Sequence, residues 1–454
     1  AVELRNQLQH AAGEGVALPS TVVFDHPTAR QLAAALAAPK TDPTSGLAPI
    51  SLRSRAEDAS CGEVSGTAGL LPGNLQSVAS LLHAVRCGWD VVGEVPTGRW
   101  PLPSALVSPR ERHGGFVCAA ELFDPVRFGV SPAESAAMDP QQRLLLELGD
   151  AALCDARLSR SALAGSLGGV FVGIAHADFS SLLAASPARE SVYFATGSSH
   201  AIASGRLAYV LDLHGPCAAY DSACSAALTA CHAGLRALQR HECSVGLVCG
   251  VSLMLSPAAS TAFALAGMTS ELGRCHTFDR RADGFARGEA CGAAVLDTPD
   301  PCTTERLQLR GSAVRQDGRS ASLTAPNGKA QTELLVAALV DSGYEPGSSS
   351  IYEAHGTGTA LGDPIEAGSI GPVLRPRLEG SWVPQLGGVK ANVGHAEPAA
   401  GIIGLLRAGQ GLAQTEAGPN AQLRALNPHV LSSLQGARCG LPTQLAKGPI
   451  GGST

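Results

Sequence analysis

Short apolar runs of strand length recur along most of this chain, separated by longer stretches rich in alanine and leucine. The short runs predict buried strands, and the alanine-rich stretches predict helices. Because the two alternate from about Cys61 onwards, the pattern favours an α/β fold with parallel or mixed sheets covered by helices. The strand candidates are Gly169–Val172, Val245–Val251, Ala293–Leu296 and Leu386–Val389.

The first 38 residues follow a different pattern. Val2, Leu4 and Leu8 fall at near-helical spacing, and Gly13 follows as a stop signal. A second apolar helix is predicted over residues 28–37, with a proline in its first turn, where the missing N–H is harmless. Residues 39–60 are rich in proline, serine and charge and predict a linker.

The uncharged run from Ser244 to Ser270 is long enough to raise the question of a membrane span. It contains Gly246, Gly250 and Pro257, which interrupt a spanning helix. The interpretation that fits these residues is a buried strand followed by a buried helix.

Composition narrows the class of protein. Apolar residues make up 45% and charged residues 16%, which supports a large core and excludes a disordered chain. The net charge of -6 argues against nucleic acid as the main partner. The 13 cysteines form no CxxC pair, so neither a disulfide framework nor a structural zinc site is predicted. Buried thiols indicate a reducing compartment, the cytoplasm or alternatively a plastid.

A candidate nucleophile lies in the segment GPCAAYDSACSAALTACHAGLRALQR. An apolar run ends at Asp221 and Ser222, both good helix caps, and an alanine-rich helix follows. Cys224 then falls in the first turn of that helix. The positive end of the helix dipole favours a thiolate there, and free backbone N–H groups could hold an oxyanion.

Two further segments repeat one design, a strand, a polar loop bearing histidine, and a helix. The first, IYEAHGTGTALGDPIEAGSI, places His355 at the end of its strand; its glycine spacing does not match the dinucleotide fingerprint GxGxxG. The second, GGVKANVGHAEPAAGIIGLL, supplies Lys390, His395 and Glu397. The two histidines are candidates for a paired role in one site.

These three segments resemble the signatures of ketosynthases. DSACSAAL is similar to DTACSSSL, the His355 segment to EAHGTGTxxGDPIE, and the His395 segment to VKxNxGHxEAAAG, with Pro398 in place of alanine. The resemblance covers about residues 61–436 and is to the ketosynthase domain of a type I modular polyketide synthase. The variant GEACG within it resembles microalgal type I synthases.

The resemblance implies a thiolase-like fold, in which two similar halves form a five-layer αβαβα sandwich, here with a short N-terminal helical appendage. It implies that Cys224 carries the acyl chain and that His355 and His395 stabilise the enolate formed by decarboxylation. Lys390 is expected to order the His395 loop through an ion pair with Glu397. Thr357 and Thr359 are expected to bind the pantetheine arm. Cys217 and Cys231, which lie seven residues to either side of Cys224, are expected to be packing residues.

The resemblance also divides the chain. Residues 1–38 resemble the last two helices of an acyl carrier domain without its phosphopantetheine serine. After the linker, residues 61–300 and 301–454 correspond to the two halves of the ketosynthase. Acyl carrier domains and a second copy of the chain are the expected partners, with neither nucleic acid nor membrane. No bound cofactor or metal is expected, since substrates arrive on phosphopantetheine.

The end of the chain departs from the family pattern. The family's glycine-rich loop resembles SSFGFGGTN and supplies an oxyanion donor, whereas this chain reads LAKGPIGGST. Pro449 removes one donor, so the second half is expected to be truncated and slower in condensation by roughly 10²- to 10³-fold. The alternative is that Ile450 to Gly452 form the loop in degenerate form and no donor is lost.

Other functions carried by the same fold fit these residues less well. Thiolases and starter-type condensing enzymes use Cys-His-Cys and Cys-His-Asn, whereas this chain has Cys-His-His. A non-elongating, acyl-shuttling ketosynthase-like domain typically loses the second histidine, and His395 is present. Decarboxylative condensation is therefore the preferred hypothesis.

Overall fold

The computed structural model describes residues 2–12, 22–26, 28–37, 61–101, 108–299, 306–344, 350–374, 383–434 and 437–447. The α-helices are α1 (Val2–Ala12), α2 (Val22–Asp25), α3 (Ala29–Ala37), α4 (Val78–Arg86), α5 (Pro132–Ala137), α6 (Pro140–Asp155), α7 (Arg160–Leu163), α8 (Asp178–Ala184), α9 (Phe194–Ser198), α10 (His200–Leu211), α11 (Ala226–Gln239), α12 (Ala258–Leu265), α13 (Gly328–Ser342), α14 (Gly362–Ile370), α15 (Lys390–Val393), α16 (Ala400–Ala413) and α17 (Pro428–Ser433). The strands are β1 (Gly62–Leu70), β2 (Gly93–Glu94), β3 (His113–Gly115), β4 (Gly168–Gly173), β5 (Cys217–Tyr220), β6 (Val245–Ser252), β7 (Arg287–Gly288), β8 (Ala290–Asp297), β9 (Leu307–Leu309), β10 (Ile351–Glu353), β11 (Gln385–Gly387), β12 (Glu416–Ala417) and β13 (Ala446–Lys447).

The central sheet has six strands in the order β5-β4-β6-β8-β1-β9. β4 pairs in parallel with β5 and β6, while β8 pairs antiparallel with β6 and β1, so the sheet is mixed. β4 and most of β6 are buried on both faces, which explains their unbroken apolar sequences. The predicted strands within β4, β6 and β8 are confirmed.

Helices cover both faces of this sheet. On one face α6 and α10 pack against Val170, Leu247 and Val295. On the other face α11 and α16 pack against Phe171 and Val248. Neighbouring residues of one strand thus face different cores, as the alternation of a strand requires.

A glycine lets the helix α11 start directly against the end of β4. A Cβ added to Gly173 would lie 2.4 Å from the backbone nitrogen of Ala227. Only a residue without a side chain permits this approach, and it places the residues before α11 at the carboxyl end of the parallel strands.

The later part of the chain forms a smaller unit around β10 and β11, which pair in parallel. Helices α14 and α17 bury Ala367 and Val430 against it. The predicted strand Leu386–Val389 is only partly right, because β11 ends at Gly387 and the chain turns into α15 at Lys390.

The run from Ser244 to Ser270 contains β6 and α12. The strand is buried, but Ser260 is the only buried residue of α12, and Leu265 is 85% exposed. The predicted buried helix is therefore wrong, because α12 lies at the surface beside a cavity. Among the described residues no helix has the length and apolar character needed to cross a membrane.

In the N-terminal segment, helices are present over Val2–Ala12 and Ala29–Ala37, as predicted, and the short α2 was not foreseen. The predicted linker at 39–60 and the glycine-rich end at 448–454 lie outside the described residues.

Candidate active site

Cys224 lies in a turn that connects the edge strand β5 to helix α11. The turn is a 3₁₀ helix over Ala223–Ser225, and Ala223 has a left-handed φ of 52°. The carboxylate of Asp221 accepts a hydrogen bond from the N–H of Ala223 at 3.1 Å, whereas the side chain of Ser222 caps no backbone N–H. The cysteine therefore lies two residues before the first residue of α11, and of the two predicted caps only the side chain of Asp221 accepts a backbone hydrogen bond.

The electrostatics of Cys224 differ from the expectation. Burial raises its pKa above the ordinary value, and the nearby charge of Lys390 opposes this rise without cancelling it. The prediction that the helix start yields a thiolate is wrong on balance, since the half-buried sulfur loses solvation. The group is a thiol at neutral pH.

The two cysteines expected to be packing residues have different environments. Cys231 is buried on α11, and burial raises its pKa to about 12. Cys217 is exposed on β5, which is the edge of the central sheet, so its prediction as a packing residue is wrong for the single chain.

His355 follows β10 and begins a loop whose backbone N–H groups donate hydrogen bonds to carboxylates. Glu366 accepts hydrogen bonds from the N–H groups of His355 at 2.5 Å and Gly356 at 2.8 Å. Asp363 accepts from the N–H of Gly358 at 3.0 Å. These contacts explain why the motif combines small residues in the loop with two acidic residues at the start of α14.

His395 is buried and is fixed by its backbone. Its N–H donates to the carbonyl of Ala286 and its carbonyl accepts from Gly288, both at 2.8 Å. The N–H of Glu397 donates to Nδ1 of His395 at 3.2 Å. Nδ1 is therefore an acceptor, so that Nε2 of the neutral ring carries the hydrogen.

Cys224, His355 and His395 come together although up to 171 residues separate them in the sequence. One sulfur and one nitrogen from each ring lie within 4.8 Å of one another. The two imidazole rings meet edge to face, with centroids 5.5 Å apart. The structure thus places the three predicted reactive side chains around a single point.

Both imidazoles are neutral. The pKa of His355 is lowered first by burial and second by the charge of Lys390, although the ring is open to water in the cavity. The pKa of His395 is lowered well below its ordinary value by the same two causes. Two neutral N–H donors beside a sulfur can stabilise an anionic oxygen without first transferring a proton.

Lys390 is buried beneath the site, and the expected ion pair with Glu397 is wrong. The Glu397 carboxylate pairs instead with Arg287 Nε at 2.5 Å and His176 Nε2 at 2.5 Å. Arg287 is the nearer cation because β7 lies beside His395 in a parallel bridge. The charge of Lys390 acts instead on Cys224 and on the two histidines.

A cavity of about 1090 Å³ opens onto these groups and has mainly apolar walls. Thr357 and Thr359 line it, with their hydroxyl oxygens 3.4 Å apart. The wall on one side is aromatic, with Phe263 and Phe285 in contact at a centroid distance of 6.1 Å. Leu334, Leu335 and Ile370 line another part.

Among the described residues, Cys224, His355 and His395 are also the one group of side chains close enough together to ligate a metal ion. Zinc requires donor bonds of about 2.0–2.3 Å, so the three atoms would have to draw closer. A thiol beside two neutral imidazoles also fits a nucleophile with two hydrogen-bond donors, for which the present spacing suffices.

Comparison with known proteins decides the family. The family model described as beta-ketoacyl synthase, N-terminal domain, matches residues 63–300, and the one described as beta-ketoacyl synthase, C-terminal domain, matches residues 307–424. The chain belongs to the β-ketoacyl synthase family.

Curated relatives of this synthase domain are polyketide synthases. Polyketide synthase GfsE from Streptomyces halstedii is 39% identical over 90% of this chain and 11% of its own length. Spectinabilin polyketide synthase system protein NorC from Streptomyces orinoci is 38% identical over 95% of this chain and 19% of its own length. The synthase domain thus spans less than a fifth of either relative.

Solved structures show the same fold. The ketosynthase from module 6 of the bacillaene synthase of Bacillus subtilis 168 has a TM-score of 0.77 and 31% identity, covering 85% of this chain and 66% of that one. The oxazolomycin ketosynthase domain OzmH KS7 of Streptomyces albus JA3453 has a TM-score of 0.78 and 32% identity, covering 86% and 69%. The predicted thiolase-like fold and the ketosynthase class are confirmed.

Sequence reasoning missed several residues of the synthase site. Arg287 lies in the segment GFARGEACG, which resembled the family but suggested no role for the arginine. Glu366 and Asp363 lie within the recognised His355 motif. His176 follows the buried parallel strand β4, and that position was its one available signal.

Proposed function

We propose that this β-ketoacyl synthase domain catalyses decarboxylative Claisen condensation of an acyl chain on Cys224 with a malonyl-type thioester. The observation that carries the proposal is the approach of one sulfur and two imidazole nitrogens to within 4.8 Å of one another at an apolar cavity. A thiol nucleophile and two neutral donors are the groups that this chemistry requires.

The first step is acyl transfer to Cys224. Because the thiol is protonated at neutral pH, its proton must leave as the sulfur attacks the incoming thioester. Nε2–H of His395 is a fixed donor, whereas the ring of His355 has no hydrogen-bond partner among the described residues. His355 is therefore the group we assign to accept the thiol proton and to return it to the departing pantetheine thiol.

The second step is decarboxylation followed by carbon–carbon bond formation. The thioester carbonyl of the malonyl group accepts hydrogen bonds from His355 and His395, which stabilise the enolate oxygen as CO₂ leaves. The enolate carbon attacks the acyl carbonyl on Cys224, the bond between that carbonyl and the sulfur breaks, and the β-ketoacyl thioester departs. The released thiolate then takes a proton from water in the cavity. Burial is the first cause that keeps both imidazoles neutral, and Lys390 supports this step because its charge is the second.

The remaining predicted residues have supporting roles in this proposal. Thr357 and Thr359 line the cavity and present hydroxyls to the pantetheine arm. Glu397 fixes His395 through its N–H, and its carboxylate joins Arg287 to the same loop. We further propose that the substrates arrive on the phosphopantetheine of acyl carrier domains.

We also propose a homodimer. Among the described residues, strand β5 ends the central sheet with one side unpaired, and its first residue, Cys217, is exposed. Tyr209, on the adjacent helix α10, is 87% exposed. An unpaired edge beside exposed apolar surface favours pairing with a second copy. Sedimentation of the purified chain as a monomer at micromolar concentration would contradict the dimer.

The domain organisation is likewise proposed. Since the chain spans 11% and 19% of its two polyketide synthase relatives, we infer one ketosynthase domain of a larger synthase. The halves at 61–300 and 301–454, the linker at 39–60 and the acyl carrier segment at 1–38 remain proposals. An acyl-shuttling domain that does not condense has no support from the comparisons.

The test separates acylation from condensation. Intact-protein mass should show one acyl adduct on the wild type, none on Cys224→Ala, and the adduct unchanged on the control Cys231→Ala. His395→Ala should still gain the acyl mass but condense at least ~10²-fold more slowly in a single turnover. An adduct on Cys224→Ala, or normal condensation by His395→Ala, would contradict the proposal.

A further inference from the structure

His176 lies in the active-site cavity but has no part in the steps above. It follows strand β4, its side chain is 14% exposed, and it lines the same cavity as Cys224. Its Nε2 lies 2.5 Å from the Glu397 carboxylate and 3.5 Å from Nη2 of Arg287. A histidine that lines the cavity of the nucleophile and is held by a buried carboxylate requires an explanation.

The carboxylate fixes the orientation of the His176 ring. Burial alone would raise the pKa of Glu397, but the contacts with His176 and Arg287 lower it overall, so the group is an anion at neutral pH. Arg287 already balances that charge through Nε. A carboxylate that accepts from Nε2–H turns the opposite nitrogen, Nδ1, away from itself. Among the described residues Nδ1 of His176 has no hydrogen-bond partner.

The surroundings of His176 are aromatic. The Arg287 guanidinium lies 5.2 Å from the ring centroid of Phe263, so Phe263 and His176 flank the same arginine. Phe263 contacts Phe285, which in turn lies 5.2 Å from the ring of His395. An aromatic wall of Phe263 and Phe285 therefore runs from the ring of His395 to the neighbourhood of His176.

In the proposed function, the aromatic wall is the part of the cavity left for the acyl chain. The proposed function assigns the threonine-lined part of the cavity to the pantetheine arm, so the chain attached to Cys224 occupies the aromatic part. A saturated chain there would cover Nδ1 without giving it a partner. A hydroxyl on the chain would satisfy Nδ1, because its O–H can donate a hydrogen bond to that nitrogen.

We propose that His176, held by Glu397, is a specificity-determining residue that selects acyl chains bearing a hydroxyl within a few carbons of the thioester over saturated chains. The inference rests on the proposed function, since it concerns the chain carried by Cys224. A site built to bond a hydroxyl rejects the analogue that lacks it, because a buried polar atom is then left unpaired.

The test compares two thioesters of equal length, 3-hydroxyoctanoyl-pantetheine and octanoyl-pantetheine. The readout is kcat/KM for acylation of Cys224, followed by intact-protein mass. The wild type should prefer the hydroxy chain by about 5- to 150-fold, the scale of one unpaired buried polar atom. His176→Leu should lose or reverse the preference, His176→Gln should retain part of it, and the control His214→Leu, at an exposed histidine outside the cavity, should keep it.

The comparison of the two substrates distinguishes specificity from damage to the fold. A variant that is merely less stable loses activity toward both thioesters alike, and the wild-type preference needs no variant at all. Equal rates for the two thioesters in the wild type, or an unchanged ratio in His176→Leu, would overturn the inference while leaving the condensing activity intact. Failure of both thioesters to acylate the wild type would overturn the proposed function and this inference with it.

Discussion

The substitution Gly173→Ala tests how the central sheet positions the nucleophile. The added Cβ would lie 2.4 Å from the nitrogen and 2.6 Å from the Cα of Ala227, where ordinary contact begins at 3.4 Å. Both atoms are backbone, so no side-chain rotation can relieve the clash. The start of α11 must therefore move by about 1 Å, and Cys224 lies three residues before Ala227.

Two effects should follow. Overpacking at this position should reduce the free energy of unfolding by about 1–3 kcal/mol, measured by urea titration. A displacement of about 1 Å at a reacting group should slow acylation of Cys224 by roughly 10²-fold, measured by intact-protein mass. The control is Gly93→Ala, whose Cβ would meet nothing within 4 Å and should change neither quantity. Wild-type stability together with wild-type acylation in Gly173→Ala would show that the close approach does not position the cysteine.

Two further predictions concern buried charges. Lys390→Met should move the alkylation of Cys224 by iodoacetamide to higher pH, because Lys390 opposes the rise in the pKa of the thiol; a pH–rate profile that stays in place or moves to lower pH would contradict this. Glu397→Gln should lower the free energy of unfolding at pH 7 by about 3 kcal/mol, because the buried Arg287 loses the carboxylate that balances its charge, whereas Glu190→Gln at an exposed ion pair should have little effect. Since the pKa of Glu397 is lowered in the folded state, the stability that its charge contributes is present at neutral pH and is lost as the pH falls. In denaturant titrations, the difference in unfolding free energy between wild type and Glu397→Gln should therefore shrink in acid. A difference that stays constant with pH would refute the assignment.

The parts of the fold that follow from local pattern were predictable. β4, β6 and β8 are buried on both faces, so their sequences are continuous apolar runs that mark the strands directly. The helix after Cys224 was predictable from its alanine-rich sequence. The end of β11 was not predictable, because Gly388 and Val389 continue the apolar run and the strand ends only through the turn into α15.

The residues of the candidate site also separate into those that the sequence predicted and those that it could not predict. The grouping of Cys224, His355 and His395 rested on recognised motifs, and the structure places their reactive atoms within 4.8 Å of one another. The partner of Glu397 could not be predicted, because Arg287 precedes it by 110 residues and reaches it only through the bridge between β7 and the His395 loop. The sign of the pKa change at Cys224 depends on how much protein surrounds the sulfur, which is a tertiary property.

The order of the strands along the chain determines when each part of the central sheet can form during synthesis. The sheet gains its sixth strand only when β9 at Leu307–Leu309 pairs with β1, and helix α16 at Ala400–Ala413 then covers one face of it. At translation rates of roughly 5–20 residues per second, the stretch between β9 and α16 takes about 5 to 20 s to emerge. During that interval the nascent chain carries Cys224 without His395, and its apolar face, which includes Phe171 and Val248, lacks the cover of α16. Until α16 has emerged, the ribosome-bound chain therefore exposes apolar surface that is prone to aggregation.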